Sequence, residues 1–236
     1  MFPFNFIDFS LTMLLSAFMF SCISDGVKFQ HQSNWQSQFD LTSRDLSSTG
    51  RNQYFILEPG YQIVLEGSAG KVEITVLDET KIINGITTRV LEEREWTRGE
   101  LSEISRNFFA IDTKTKDVFY FGEDVDMYRG SKIVSNDGAW LAGTNGAEAG
   151  LIMPGSPRVG MKYYQEQAPG IAMDRCQIIK LDDELETPAG HFKNCLLTKE
   201  GSALNLIEFE FKTYAPNVGL IQDEKLLLTS YGFINK

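Results

Sequence analysis

Histidine and cysteine are scarce, with two and three copies in 236 residues, which leaves little for a metal centre or a nucleophilic enzyme. His31 lies in a polar stretch, so only His191 falls where a folded body is expected. A hydrolase would have to be built on His191 and dispersed acids such as Glu166 and Asp174, whose spacing matches no catalytic pattern. No Gly-x-Ser-x-Gly elbow precedes a helix. Gly67, Ser68, Ala69 and Gly70 sit in an expected hairpin, and Gly70-Lys71 lacks the spacing of a phosphate loop. No cofactor and no resident metal is implied. The acidic run Glu123, Asp124, Val125, Asp126 lacks the glycine and distal glutamate of an EF-hand loop and reads as a solvated turn. Cationic side chains are outnumbered, 22 Lys plus Arg against 32 Asp plus Glu for a net charge of −10. No polybasic run offsets this, which excludes nucleic acid as the expected partner. Amphipathic helices are missing after Cys22, and so is any later segment long and apolar enough to span a bilayer as a helix.

What is present begins with an apolar run over residues 11–20, too short for a stable spanning helix, followed by Ser21, Cys22 and the polar Ser24, Asp25 and Gly26. This order resembles a bacterial lipoprotein signal. The resemblance implies export, removal of residues 1–21 and attachment of diacylglycerol to the Cys22 thiol, with plain cleavage as the alternative. The expected location is then the extracytoplasmic side of a bacterial cell envelope, with the membrane as partner through the lipid anchor at Cys22. Residues 22–52 are rich in Ser, Gln, Asn and Asp and keep no steady period, so they read as a flexible polar tether. Trp35 and Phe39 within it would alternatively form a partner-binding motif.

From residue 53 to residue 236 the pattern is that of a β domain. Apolar segments alternate with turn signals every eight to twelve residues or so. Asn84-Gly85, Arg98-Gly99, Arg129-Gly130 and Ser68-Ala69-Gly70 are each able to supply the positive φ of a tight hairpin. Val72, Ile74 and Val76 share one face of their strand, as do Ile86, Val90 and Trp96 of the next. A plain two-residue loop would point the two sets apart, so a bulged hairpin is expected, with Trp96 set against Ile74. Glu92 to Glu95 alternate as a solvated face would. Phe108, Phe109 and Ile111, then Val118, Phe119, Tyr120 and Phe121, are apolar on both faces of their strands and must be covered twice. The expected fold is therefore all-β, an antiparallel meander curved into a barrel, half-barrel or sandwich. The Gly-rich stretch 136–160 is expected to form a long covering loop.

Several phrases along this domain, among them Tyr54 to Gly60, Tyr120 to Asp124, Gly150 to Gly155 and Tyr163 to Glu166, resemble a family of uncharacterised secreted bacterial β-sheet proteins. Thr187 to Phe192 and Tyr214 to Ile221 are more distantly similar to lipoprotein-carrier folds of the LolA and LppX type. Such a likeness implies a curved sheet holding an apolar or lipid-like small molecule, in a binding protein without enzymatic activity. A structural or protein-interaction module of the envelope is the alternative, and an extracytoplasmic hydrolase a further one. The aromatic side chains expected nearest a concave face are Tyr120, Trp140, Tyr163, Tyr164 and Tyr214. Cys176 and Cys195 flank an expected turn near residues 184–187. Equal pairing about that turn would set them opposite one another for a disulfide in an oxidising compartment, two buried thiols being the alternative.

Overall fold

A computed structural model describes residues 35–68 and 70–234. Cys22, the apolar run before it and the first part of the expected tether lie outside the described residues. Among those described there is no helix, and eighteen strands account for the fold. The first four are β1 (Leu46–Ser47), β2 (Gly50–Asn52), β3 (Phe55–Leu57) and β4 (Tyr61–Glu66). Long hairpin strands follow: β5 (Gly70–Ile83), β6 (Ile86–Thr97), β7 (Glu100–Asp112) and β8 (Val118–Arg129). Shorter pieces come next, namely β9 (Lys132–Ser135), β10 (Trp140–Leu141), β11 (Glu148–Met153), β12 (Lys162–Tyr164) and β13 (Glu166–Gln167). The chain ends with β14 (Asp174–Thr187), β15 (Gly190–Ser202), β16 (Glu210–Ala215), β17 (Gly219–Asp223) and β18 (Leu226–Phe233).

One antiparallel sheet runs β12-β14-β15-β16-β17-β18-β4-β5-β6-β7-β8-β11-β13 and curls into a nearly closed barrel. Its two ends are β12 and β13, which a single residue, Gln165, separates in the chain. The segment 162–167 thus belongs to both margins of the sheet, and little of either margin is left as an open edge strand. The bulge expected between the second and third long strands is present, but its place differs. Asn84 and Gly85, both at positive φ, make a two-residue turn, and the register slips between Val76 and Thr80. Trp96 therefore lies opposite Lys71 rather than Ile74. The slip turns Leu91 and Glu93 to the barrel interior together with Ile74 and Val76.

The inner faces of Phe109 and Tyr120 meet the lumen, whereas Phe119 and Phe121 need a cover on the outside. That cover comes from the segment read as a tether. Phe39 packs edge-on against Phe119 with ring centres 5.9 Å apart, and the Arg44 guanidinium lies 4.6 Å over the same ring. Arg44 is fixed in turn by Asp112 at 3.1 Å and Asp117 at 2.8 Å. Gln36 bonds to the backbone of β12, and β1 pairs with β7. Residues 35–52 are thus part of the domain. The apolar groups Phe39, Leu41 and Leu46 bury surface that the barrel's outer wall leaves open, while Gln36, Asp40, Thr42 and Asp45 face water. A fully buried Phe contributes about 1.5–3 kcal/mol relative to an exposed one, and each of these three partly buried side chains contributes a share of that.

The stretch 136–160 is a loop that carries two strands. Both β10 and β11 pair with β8, and Gly122 makes the first pairing feasible because a Cβ there would stand 2.2 Å from the Trp140 carbonyl oxygen. The acidic run 123–126 likewise lies in β8 and not in a turn. Asp124 and Asp126 face outward to Lys81 (2.7 Å) and Arg106 (3.5 Å), and Glu123 faces the lumen.

Candidate functional site

The lumen holds two connected spaces. The inner chamber, about 160 Å³, is walled by Ile63, Ile74, Val76, Leu91 and Phe109. The β2–β3 hairpin adds Tyr54, Phe55 and Ile56 to the same wall. Asn52 pins that hairpin, its side-chain amide donating to the Lys116 and Pro154 carbonyls at 2.8 and 3.0 Å and its oxygen accepting from the Tyr54 N–H. Outside the chamber is an open cleft of about 690 Å³. Ile152, Glu200 and Lys212 line both spaces and form the neck between them.

The cleft is acidic. Its walls carry Glu166, Asp174, Glu200, Glu208, Glu210 and Glu224 against a single ammonium, Lys212. Lys212 Nζ sits 2.9 Å from Glu210 and 3.3 Å from Asp223. Burial opposes its charge, but Asp223, Glu200 and Glu210 outweigh burial and hold its pKa well above the usual lysine value. Glu200 is buried at the neck and accepts hydrogen bonds from Thr198 (2.8 Å) and Tyr214 (3.2 Å). Further around the lumen the carboxylates are unbalanced. Burial, with Glu95 adjacent, pushes Glu93 up to about 8. Burial and Glu95 also raise Glu103 to about 7, and burial with Glu103 and Asp174 nearby raises Glu123 to about 7. Glu166 is lifted well above its ordinary range by burial and then by Glu123 and Asp174. At neutral pH Glu93 is mostly protonated and Glu103 and Glu123 about half so, where ordinary glutamates have lost their protons.

The aromatic side chains expected on a concave face divide. Tyr120 lines the cleft, stacks on Phe109 at 4.6 Å and donates its hydroxyl hydrogen to the Asn107 side-chain oxygen. Tyr214 lines the chamber. Trp140 is buried with its ring edge-on to Tyr120 at 5.4 Å, and its indole N–H faces Glu166 without a hydrogen-bond partner. Tyr163 is fully buried behind the neck, near Cys176, Glu200 and Tyr214, with an unpartnered hydroxyl. Tyr164, next along β12, turns the other way and meets Trp35 at 6.4 Å.

Cys176 and Cys195 are free and buried. The hairpin turn is at Pro188-Ala189 rather than near 184–187, so Cys176 lies opposite Glu200 and Cys195 opposite Asp183. The offset is five residues, about 17 Å along a strand, which no disulfide spans. Burial raises both thiols, Cys195 to about 11, which removes the thiolate that exchange chemistry needs. His191 is on the exposed β14–β15 hairpin with Glu184 at 3.4 Å, and it does not line the cleft. Among the described residues no group of three or more His, Cys, Asp or Glu could hold a metal ion.

The lumen acids other than Glu123, Glu166 and Asp174 escape a sequence search that looks for clusters, because they are far apart along the chain. The signal that finds them is period-two alternation. Glu93 follows Leu91 on one face of β6, and Glu210 and Lys212 precede Tyr214 on one face of β16. No known protein family, curated protein or solved structure matches this chain.

Proposed function

We propose that the protein is a non-enzymatic binding protein of the bacterial cell envelope, extracytoplasmic and anchored through Cys22, that houses an apolar or lipid-like ligand in its barrel. The observation that carries this reading is that the apolar chamber adjoins the open cleft, the two sharing Ile152, Glu200 and Lys212 as walls. A chamber of about 160 Å³ has room for a short alkyl segment or one ring, and the cleft has the size range of small-molecule sites. Apolar side chains at the cleft, Ile207 (87% exposed) and Phe209 (53%), offer a greasy approach to it. The anchor and the location rest on the signal-like sequence before Cys22.

Organic extraction and mass spectrometry of the full chain carrying Cys22→Ala, exported without its anchor, tests the reading. About one lipid or alkyl ligand per protein is the expected yield. Extracts free of ligand, together with no displaceable binding of an alkyl fluorophore, would overturn it. For the anchor, the N-terminal peptide of the membrane-bound protein should carry the mass of diacylglycerol on Cys22.

A second reading, a protein-interaction module of the envelope, draws on the exposed row Leu204, Leu206, Ile207 and Phe209 between β15 and β16. Under that reading Leu204→Ser with Leu206→Ser abolishes partner capture and leaves ligand content unchanged.

A further inference from the structure

Charge is distributed unevenly around the cleft. On one side Glu200, Glu210 and Asp223 surround Lys212, and that side is neutralised from within. On the other side Glu166 and Asp174 line the cleft, Glu123 approaches them from the wall it shares with Trp140, and no Lys, Arg or His of the described residues lies within ion-pair distance of the three. The cations of the neighbouring strands are committed to the outer wall, where Arg106 meets Glu92 and Asp126, Lys81 meets Asp124, and Arg175 lies over Trp35. The same corner contains the buried indole N–H of Trp140, which has no hydrogen-bond partner and faces Glu166. It also contains the rings of Tyr120 and Trp140, 5.4 Å apart.

A cluster of buried carboxylates can settle its mutual repulsion by keeping protons or by taking in a positive charge. An anionic head placed here would add to the repulsion, and a neutral one would leave the protons in place. A cationic head removes the repulsion and lets Glu166 ionise, so that its carboxylate accepts the waiting indole N–H. Electron-rich rings beside such a head add a cation–π attraction.

We propose that the ligand is a cationic amphiphile, whose amine or quaternary ammonium head sits among Glu123, Glu166 and Asp174 beside Tyr120 and Trp140 while its apolar part enters the chamber past the neck. This rests on the reading of the lumen as a binding site. Lys212 then acts as a fixed counterpart on the opposite wall, supplying there the charge that the ligand supplies here.

Calorimetric titration of the full chain with dodecyltrimethylammonium, dodecyl maltoside and dodecyl sulfate, each below its micellar concentration, separates the two claims. The cationic surfactant is expected to bind at least tenfold more tightly than the maltoside, and the sulfate more weakly than either. Glu166→Gln with Asp174→Asn should erase the tenfold preference, with a far-ultraviolet circular dichroism spectrum like the parent's reporting that the barrel is intact; Glu123→Gln alone serves if the double variant does not fold. Equal binding of cationic and nonionic heads, or tighter binding of the sulfate, overturns the cationic head and leaves the lumen as an apolar site. Failure of all three to bind overturns the lumen reading and this inference with it. Tight binding of tetramethylammonium that a dodecyl chain does not improve keeps the cation site and removes the apolar one.

Discussion

Glu92 and Glu93 are neighbours in β6 with opposite surroundings. Glu92 points outward, where Arg94 at 2.8 Å and Arg106 at 3.3 Å balance it. Glu93 points into the lumen, where burial and Glu95 lift it to about 8. The contrast extends along the wall. Asp124 and Asp126 are paired on the outside with Lys81 and Arg106, and Glu103 and Glu123 on the inside carry raised pKa values of about 7. One strand face solves its charge problem with arginine and lysine, and the other solves it with protons. A wall stabilised only by packing would have no reason to place so much carboxylate inside, since unpaired buried charge costs several kcal/mol unless it is neutralised.

The outer wall's strongest dependence is on its aromatic seam. Phe119→Ala removes a fully buried ring from beneath Phe39 and Arg44 and should cost about 3–5 kcal/mol in chemical denaturation, by far the largest single effect expected. A loss under about 1 kcal/mol would mean that residues 35–49 do not cover that wall.

The lumen's response is to pH. An acid with a raised folded pKa stabilises the fold in its protonated form; that contribution is complete below the unfolded value of 4.5 and is lost as pH rises through about 7 for Glu103 and Glu123 and about 8 for Glu93. Ligand-free protein should therefore lose thermal stability steadily from pH 5 to pH 8.5. Glu93→Gln should raise Tm at pH 8.5 by at least about 2–4 °C, the equivalent of 1 kcal/mol in a domain of this size, and have little effect at pH 5. Equal effects at both values would show that the glutamate is not held protonated. Smallest of all, Arg94→Ala on the outer wall removes an exposed arginine from Glu92, which keeps Arg106, and should cost about 0.2–1 kcal/mol, decreasing with added salt.

Much of the barrel was legible in the chain because its signals are local. Period-two runs bounded by Asn84-Gly85 and Arg98-Gly99 placed β5, β6 and β7, and the apolar Phe108 to Phe121 region demanded two covers, which the structure supplies as lumen and N-terminal segment. What was not legible depends on register or on distant partners. The tether reading extended over residues 35–52 because Phe39, Leu41 and Leu46 are too sparse to show a period; only the outer wall makes them core residues. A turn displaced by three residues, from near 184–187 to Pro188-Ala189, was enough to separate Cys176 from Cys195. The site itself was half visible. Tyr120 and Tyr214 followed from aromatic content, whereas the carboxylates looked like ordinary surface acids until closure of the sheet brought β6, β8, β13 and β16 around the lumen.

Titration of the glutamate side-chain carboxyls by carbon NMR, in ligand-free protein, tests the protonated lumen most directly. Glu93 should titrate near 8 and Glu103 and Glu123 near 7, well separated from the exposed glutamates. Midpoints near 4.5 for all three would contradict it, because carboxyls that ionise as they do in open water are not held in a lumen that burial and like charge keep protonated.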